Sequence, residues 1–154
     1  MRRQHERAEK SETTPTNVGV AHGIWGESVA CDFLRLSGYE ILERNAHPCS
    51  WDQRYEIDII AYDRERDIIV FVEVKQHKAR SRIQRRLRSI CRHKKQLLLT
   101  ACKAWLRKNK WRTGYRFDVI EIYGDPESQC RVEVDHIERV QLFEDSRRFV
   151  NWVA

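Results

Sequence analysis

The chain has 154 residues, 41% hydrophobic and 34% charged, with a net charge of +6 and a pI near 9.2. That length suits one domain around one core. No run approaches the roughly 20 apolar residues that a membrane-spanning helix needs, and the polar start Met1-Arg2-Arg3-Gln4-His5-Glu6 leads into no apolar segment of the signal-peptide kind. The expected location is the cytoplasm, with no membrane partner.

The five cysteines are Cys31, Cys49, Cys91, Cys102 and Cys130. Their number is odd and no two form a C-x-x-C pair, which argues against a zinc site or a disulfide framework. Cys31, Cys91 and Cys102 are expected to act as small buried hydrophobes. Charge is unevenly placed: Lys75 to Arg112 holds 15 Lys or Arg and no acid, while the rest holds 14 basic residues against 23 acids. A face of one sign this dense repels itself unless an anion neutralises it, so nucleic acid is the expected partner. A solvated helix surface is the plainer alternative. Arg82, Arg85, Arg86, Lys94 and Lys95 are the expected contacts.

Residues 1–18 are polar and are expected to form a disordered tail. A domain is expected over 19–137, with a C-terminal extension over 138–154. Residues 23–37 read as a helix, with Val29, Phe33 and Leu36 at helical spacing and Gly38 as the stop. Residues 39–45 read as a strand, and 46–54, with Pro48 and Ser50, as a loop. Residues 55–62 and 67–75 are strands rich in β-branched and aromatic residues, joined by Asp63-Arg64-Glu65-Arg66 as a hairpin. In the second, Ile68, Val70, Val72 and Val74 share one face, which a helix must cover. Residues 82–108 read as one long helix with the stripe Ile83, Leu87, Ile90, Leu97 and Ala101. Strands follow at 115–123 and 131–137 around the turn Gly124-Asp125-Pro126, and a short helix is expected after Glu138. The order α-β-β-β-α-β-β makes an α/β fold with a mixed sheet flanked by helices.

Glu73 and Lys75 lie two apart on one strand face, with Cα atoms roughly 6–7 Å apart. Asp58 lies on the partner strand. If the register brings it beside Glu73, two carboxylates converge next to an ammonium. Such carboxylates repel each other, and a divalent cation resolves the conflict. Asp58, Glu73 and the Val74 carbonyl are the expected ligands of Mg²⁺, with Mn²⁺ as an alternative, and Lys75 would orient water or stabilise phosphate charge. A cross-strand salt bridge among Glu73, Lys75 and Asp58 uses the same spacing, which leaves both readings open. Glu27 sits on an apolar helix stripe with Ala30, Cys31 and Leu34 and needs a partner. It either approaches the ion or serves as an acid near a helix start. Lys94, on the stripe of the long helix, either holds a phosphate or snorkels to water. The scattered histidines show no ligand spacing. Trp105 is expected in the core, and Trp111 is open to base stacking. No glycine-rich phosphate loop or G-x-S-x-G elbow is present, which leaves nucleotide-triphosphate and acyl-transfer chemistry without support.

The segments Gly26-Glu27, Gly38-Tyr39, Arg44-Asn45, Glu56-Ile57-Asp58-Ile59-Ile60-Ala61, Val70-Phe71-Val72-Glu73-Val74-Lys75, Lys94 and Arg116-Phe117-Asp118-Val119 resemble the bacterial YraN-like family. That family is placed in the restriction-endonuclease-like superfamily, alongside archaeal Holliday junction resolvases. The resemblance covers about residues 20–137 and implies the PD-(D/E)xK nuclease core, with Asp58, Glu73 and Lys75 as its acidic, acidic and basic members and Glu27 as the helical carboxylate. It implies metal-dependent hydrolysis of DNA, branched or junction DNA among the candidates. Junction enzymes usually work as dimers, so a homodimer is an expected state. Tyr55 stands where the family usually has glycine, and Gln76-His77 follows Lys75 where it tends to place Thr-Arg. The alternative function is a nucleic-acid-binding protein or adaptor that keeps a nuclease fold with little turnover.

Overall fold

A computed structural model describes residues 17–80 and 90–142. Its elements are α1 (Asn17–Leu36), β1 (Tyr39–Ala46), β2 (Ile57–Asp63), β3 (Ile68–His77), α2 (Arg92–Lys108), β4 (Gly114–Tyr123) and β5 (Glu133–Ile137). The five strands form one sheet in the order β1-β2-β3-β4-β5. All neighbours are antiparallel except β3 and β4, which are parallel. A parallel pair needs a crossover, and α2 lies in it. The expected mixed sheet with flanking helices is therefore present.

Side-chain alternation divides the sheet into two apolar faces. Ile68, Val70 and Val72 join Ile120 and Ile122 under Ala30, Cys31 and Leu34 of α1, so the face expected to need a helix has one. Ile69, Phe71, Phe117 and Val119 meet Leu98, Ala101, Cys102 and Trp105 of α2. The Trp105 ring meets Phe71 edge-on at 5.8 Å, and its indole N–H donates to Glu43 Oε2 at 2.9 Å. Trp105 is thus core, as expected. Trp111 is half-buried and donates to the Gly114 carbonyl at 3.1 Å. Val140 and Leu142, beyond β5, pack on this same face.

Three helix expectations need correction. α1 begins at Asn17, within the stretch expected to be a tail. Its buried stripe is Ala30, Cys31 and Leu34, whereas Leu36 is 91% exposed. Val29 and Phe33 of the expected stripe are half-buried and pack on the same cluster. The 82–108 helix is not continuous: Cys91 is extended (φ −67°, ψ 159°) and caps α2, which starts at Arg92. The buried residues of α2 are Leu98, Ala101, Cys102 and Trp105, with Leu97 only half-buried. Of the expected stripe, Ile90 and Ala101 are buried, while Leu98 takes the inward place expected of Leu97. Cys91 is exposed rather than buried, because it sits at that cap. Residues 138–142 form no helix, and the rest of the expected C-terminal helix, like Ile83 and Leu87, lies outside the described residues.

Gly38 ends α1 as expected. It takes φ +89°, and its N–H donates to the Arg35 carbonyl at 3.1 Å. A Cβ there would touch nothing within 4 Å. The cost of Gly38→Ala is therefore backbone strain alone, and chemical denaturation should show a loss of about 1 kcal/mol.

Charged residues are also buried on the α1 face. The Arg116 Nε donates to both oxygens of Asp118 at 3.0 Å, and Nη2 donates to the Tyr39 hydroxyl at 2.7 Å. Arg116 Nη1 lies 3.3 Å from Asp63 Oδ2, and His136 Nε2 lies 2.8 Å from Asp118 Oδ2. Buried ions persist only where each is paired and hydrogen-bonded, and this cluster meets that demand.

Candidate metal centre

The β2–β3 ladder pairs Ile59 with Val72, Ile60 with Phe71 and Ala61 with Val70. Continued by one step, this register sets Asp58 opposite Glu73, on the sheet face that α2 covers. β3 then runs on to His77 with β4 as its ladder partner. Its edge toward β2 is open from Glu73 onward. Asp58 closes part of that gap: its Oδ2 accepts the Val74 N–H at 2.7 Å. A strand residue turns its N–H and C=O to the same side, so the Val74 carbonyl faces this opening too.

Glu73 is almost fully buried, its side chain 3% exposed. Lys75 Nζ lies 2.8 Å from Oε1, and Lys94 Nζ lies 3.6 Å from Oε2. Oε2 is buried without a hydrogen bond. The Glu73–Lys75 ion pair that spacing allowed is therefore present, but its carboxylate is buried rather than exposed and Lys94 adds a second, longer ion pair. The ammonium of Lys94 comes from α2 because Lys94 precedes the buried Leu98 by one helical turn. It faces Glu73, which is not how a lysine freely snorkelling to water behaves. Lys95 is half-buried on the same turn. Arg82, Arg85 and Arg86 lie outside the described residues.

The Asp58 carboxyl is pushed up to about 7. Burial is the main cause and the Glu73 charge the second, opposed by the Val74 N–H and by Lys94, with Glu27 adding to the rise. Glu27 is held from α1 by Arg44 Nη2 at 3.8 Å. Burial raises its carboxyl, while a hydrogen bond from Asn45 and the charge of Arg44 oppose the rise. Its Oε2 is likewise buried without a hydrogen-bond partner. Glu27 therefore borders the centre through its charge and contacts β1 rather than Asp58 or Glu73.

Two features went unrecognised in the sequence. Glu121 is the ladder partner of Lys75 and is 2% exposed. It accepts the Tyr123 hydroxyl, which burial and this bond push up to about 12. The period-two pattern Phe117, Val119, Glu121, Tyr123 was the available signal. Trp51, 76% exposed in the loop before β2, is the other.

The residues fit a divalent cation on one ground above others: Glu73 Oε2 is a buried anionic oxygen without a hydrogen bond, near the half-buried carboxyl of Asp58. Among the described residues, no three His, Cys, Asp or Glu side chains gather as a ready ligand set. A hard ion such as Mg²⁺ needs only one or two carboxylates and keeps several waters.

Fold and site together define an α/β protein with a carboxylate–lysine centre toward the end of the central strand of a mixed sheet. The chain belongs to the uncharacterised protein family UPF0102, whose model matches residues 26–122; this is the YraN-like family that its motifs resemble. A UPF0102 protein of Caldanaerobacter subterraneus is 35% identical over 118 residues, covering 75% of this chain and 89% of that protein. One of Tropheryma whipplei is 37% identical over 115 residues, covering 72% and 88%. One of Clostridium perfringens is 41% identical over 101 residues, covering 65% and 77%. Among the described residues, no helix is long and apolar enough to cross a membrane.

Proposed function

We propose that this protein is a Mg²⁺-dependent endonuclease of the restriction-endonuclease-like kind, acting on DNA, branched or junction forms included. The observation that carries this reading is a buried Glu73 whose Oε2 lacks a hydrogen bond, with Lys75 at 2.8 Å from the other oxygen and Asp58 bonded to the N–H of the next residue, Val74. Asp58, Glu73 and the Val74 carbonyl would hold the ion. When bound, Mg²⁺ or Mn²⁺ supplies Lewis acidity toward a phosphodiester and lowers the pKa of water. Lys75 keeps a donor at the carboxylate edge, where it orients an attacking water or meets charge growing on a phosphate oxygen. Lys94 brings a second positive charge to the same edge and serves as a phosphate contact. Glu27 adds negative potential from the other side, favouring a cation. The basic stretch from Lys75 to Arg112 supplies the attraction for a polyanion.

Cleavage of single-stranded, duplex, flap and four-way-junction DNA, with and without divalent metal, tests this reading. Metal-dependent products from at least one substrate are expected. If none is cut with Mg²⁺ or Mn²⁺, the protein is instead a nucleic-acid binder built on a nuclease fold. Affinity that does not weaken with salt would exclude both and favour a protein-binding adaptor. Lys94→Gln is expected to weaken DNA binding about tenfold whatever the sequence and to lower the salt slope by about one. Fluorescence anisotropy over a salt series reads both.

A further inference from the structure

The loop between β1 and β2, which leads into Ile57 and Asp58, carries an exposed aromatic ring. Trp51 is 76% exposed, although it is the largest apolar side chain in a short connection. The exposure does not come from a slack loop. Cys49 is fully buried, the Asp52 N–H donates to the Cys49 carbonyl at 3.3 Å, and the Tyr55 N–H donates to the Asp52 carbonyl at 3.2 Å. Asp52 also grips Arg54 through four hydrogen bonds of 2.7–3.0 Å. Trp51 leans edge-on against Tyr55, with ring centroids 6.4 Å apart. Tyr55 in turn packs on the core face covered by α2, the face on which Asp58 and Glu73 meet. Tyr55 stands three positions before Asp58, a reach of at most about 11 Å.

A solvent-facing indole in the loop that leads into Asp58 has the chemistry to stack on a base. Bases in a duplex are already stacked on their neighbours, so only an unpaired base can use it. We propose that Trp51 is a stacking platform for an unpaired nucleobase flanking the phosphate at the Asp58–Glu73 centre. The substrate class is then DNA with a single-stranded segment, such as a flap, a junction arm opening or a free strand, in preference to blunt duplex. This inference rests on the nuclease reading for its location, but its test does not depend on turnover.

The test measures binding of an oligothymidylate, the same strand with abasic sites, and a blunt duplex. Each is read by anisotropy in the presence of EDTA, so that no cleavage intervenes. Trp51→Ala is expected to weaken oligothymidylate binding roughly tenfold and to leave the duplex and the abasic strand unchanged. Trp51→Phe should retain most of the affinity, and thermal melts of both variants should match wild type because the ring is exposed. Equal affinity of wild type and Trp51→Ala for oligothymidylate, or an equal loss for duplex, overturns the platform and leaves the nuclease reading standing. Failure of the wild type to bind any of the three overturns both.

Discussion

Glu73→Ala is expected to lower Mg²⁺-dependent DNA cleavage by about a thousandfold, equivalent to roughly 4 kcal/mol of transition-state stabilisation. The double variant Glu73→Ala, Lys75→Ala should abolish cleavage while keeping nearly full DNA affinity. The separation follows from where the charges lie. Glu73 is buried at the end of a two-carboxylate edge, so its loss removes an anionic ligand for the ion. On the proposed reading DNA affinity would arise from the basic residues between Lys75 and Arg112, of which the double variant removes one. Folding should survive. Lys75 and Lys94 are about one-third exposed and can extend into water once Glu73 is gone. Single-turnover cleavage and anisotropy on the same preparations check both halves. Cleavage by the double variant at the wild-type rate would remove the enzymatic reading.

The second large effect is a pH dependence of stability that the ion suppresses. In the folded chain the Asp58 carboxyl is raised from 3.8 to about 7, chiefly by burial and then by the Glu73 charge. The folded state therefore binds this proton more tightly than the unfolded state. The contribution to stability is complete below about pH 4 and is lost as pH rises through about 7. A shift of this size corresponds to about 2–4 kcal/mol. Metal-free wild type should lose that much, relative to Asp58→Asn, between acid and mildly alkaline solution. Asparagine cannot ionise, and its amide oxygen still accepts the Val74 N–H. Urea denaturation of both proteins at each pH measures the difference. Millimolar Mg²⁺ should restore the wild type at alkaline pH and leave Asp58→Asn unaffected, because the cation takes the place of the proton between the two carboxylates. Parallel pH profiles for the two proteins would show that Asp58 is not held in this way.

Much of the fold was legible because it rests on local pattern. Alternation in 68–74 set Ile68, Val70 and Val72 under a helix, and the short polar link from Asp63 to Arg66 set the hairpin. That hairpin sets the β2–β3 register from Asp63–Ile68 to Ile59–Val72, which leaves Asp58 and Glu73 as the next residues on their strands. Lys94 was legible as a charge on an apolar stripe, of which Ile90 and Ala101 are buried and Leu98 stands in for Leu97. The break at Ile90 and Cys91 was hidden, since neither glycine nor proline marks it and Cys91 caps through its extended backbone. The Arg116–Asp118 cluster was missed for a different reason. Its partners Asp63, Tyr39 and His136 come from three other regions of the chain, and only tertiary packing brings them together. Trp51 was passed over because its loop was read from Pro48 and Ser50 as a mere connection. Its exposure depends on how the buried Cys49 and the Asp52–Arg54 clamp orient the backbone.

The central claim is that Asp58 and Glu73 together hold one divalent ion, and direct ion binding tests it ahead of any substrate. Titration with Mn²⁺, followed by the loss of the free-ion electron paramagnetic resonance signal, counts bound ions in wild type, Asp58→Ala, Glu73→Ala and Lys75→Ala. One ion is expected in wild type and in Lys75→Ala, with binding lost in both carboxylate variants. Equal binding by all four proteins, or none by the wild type, would contradict the claim.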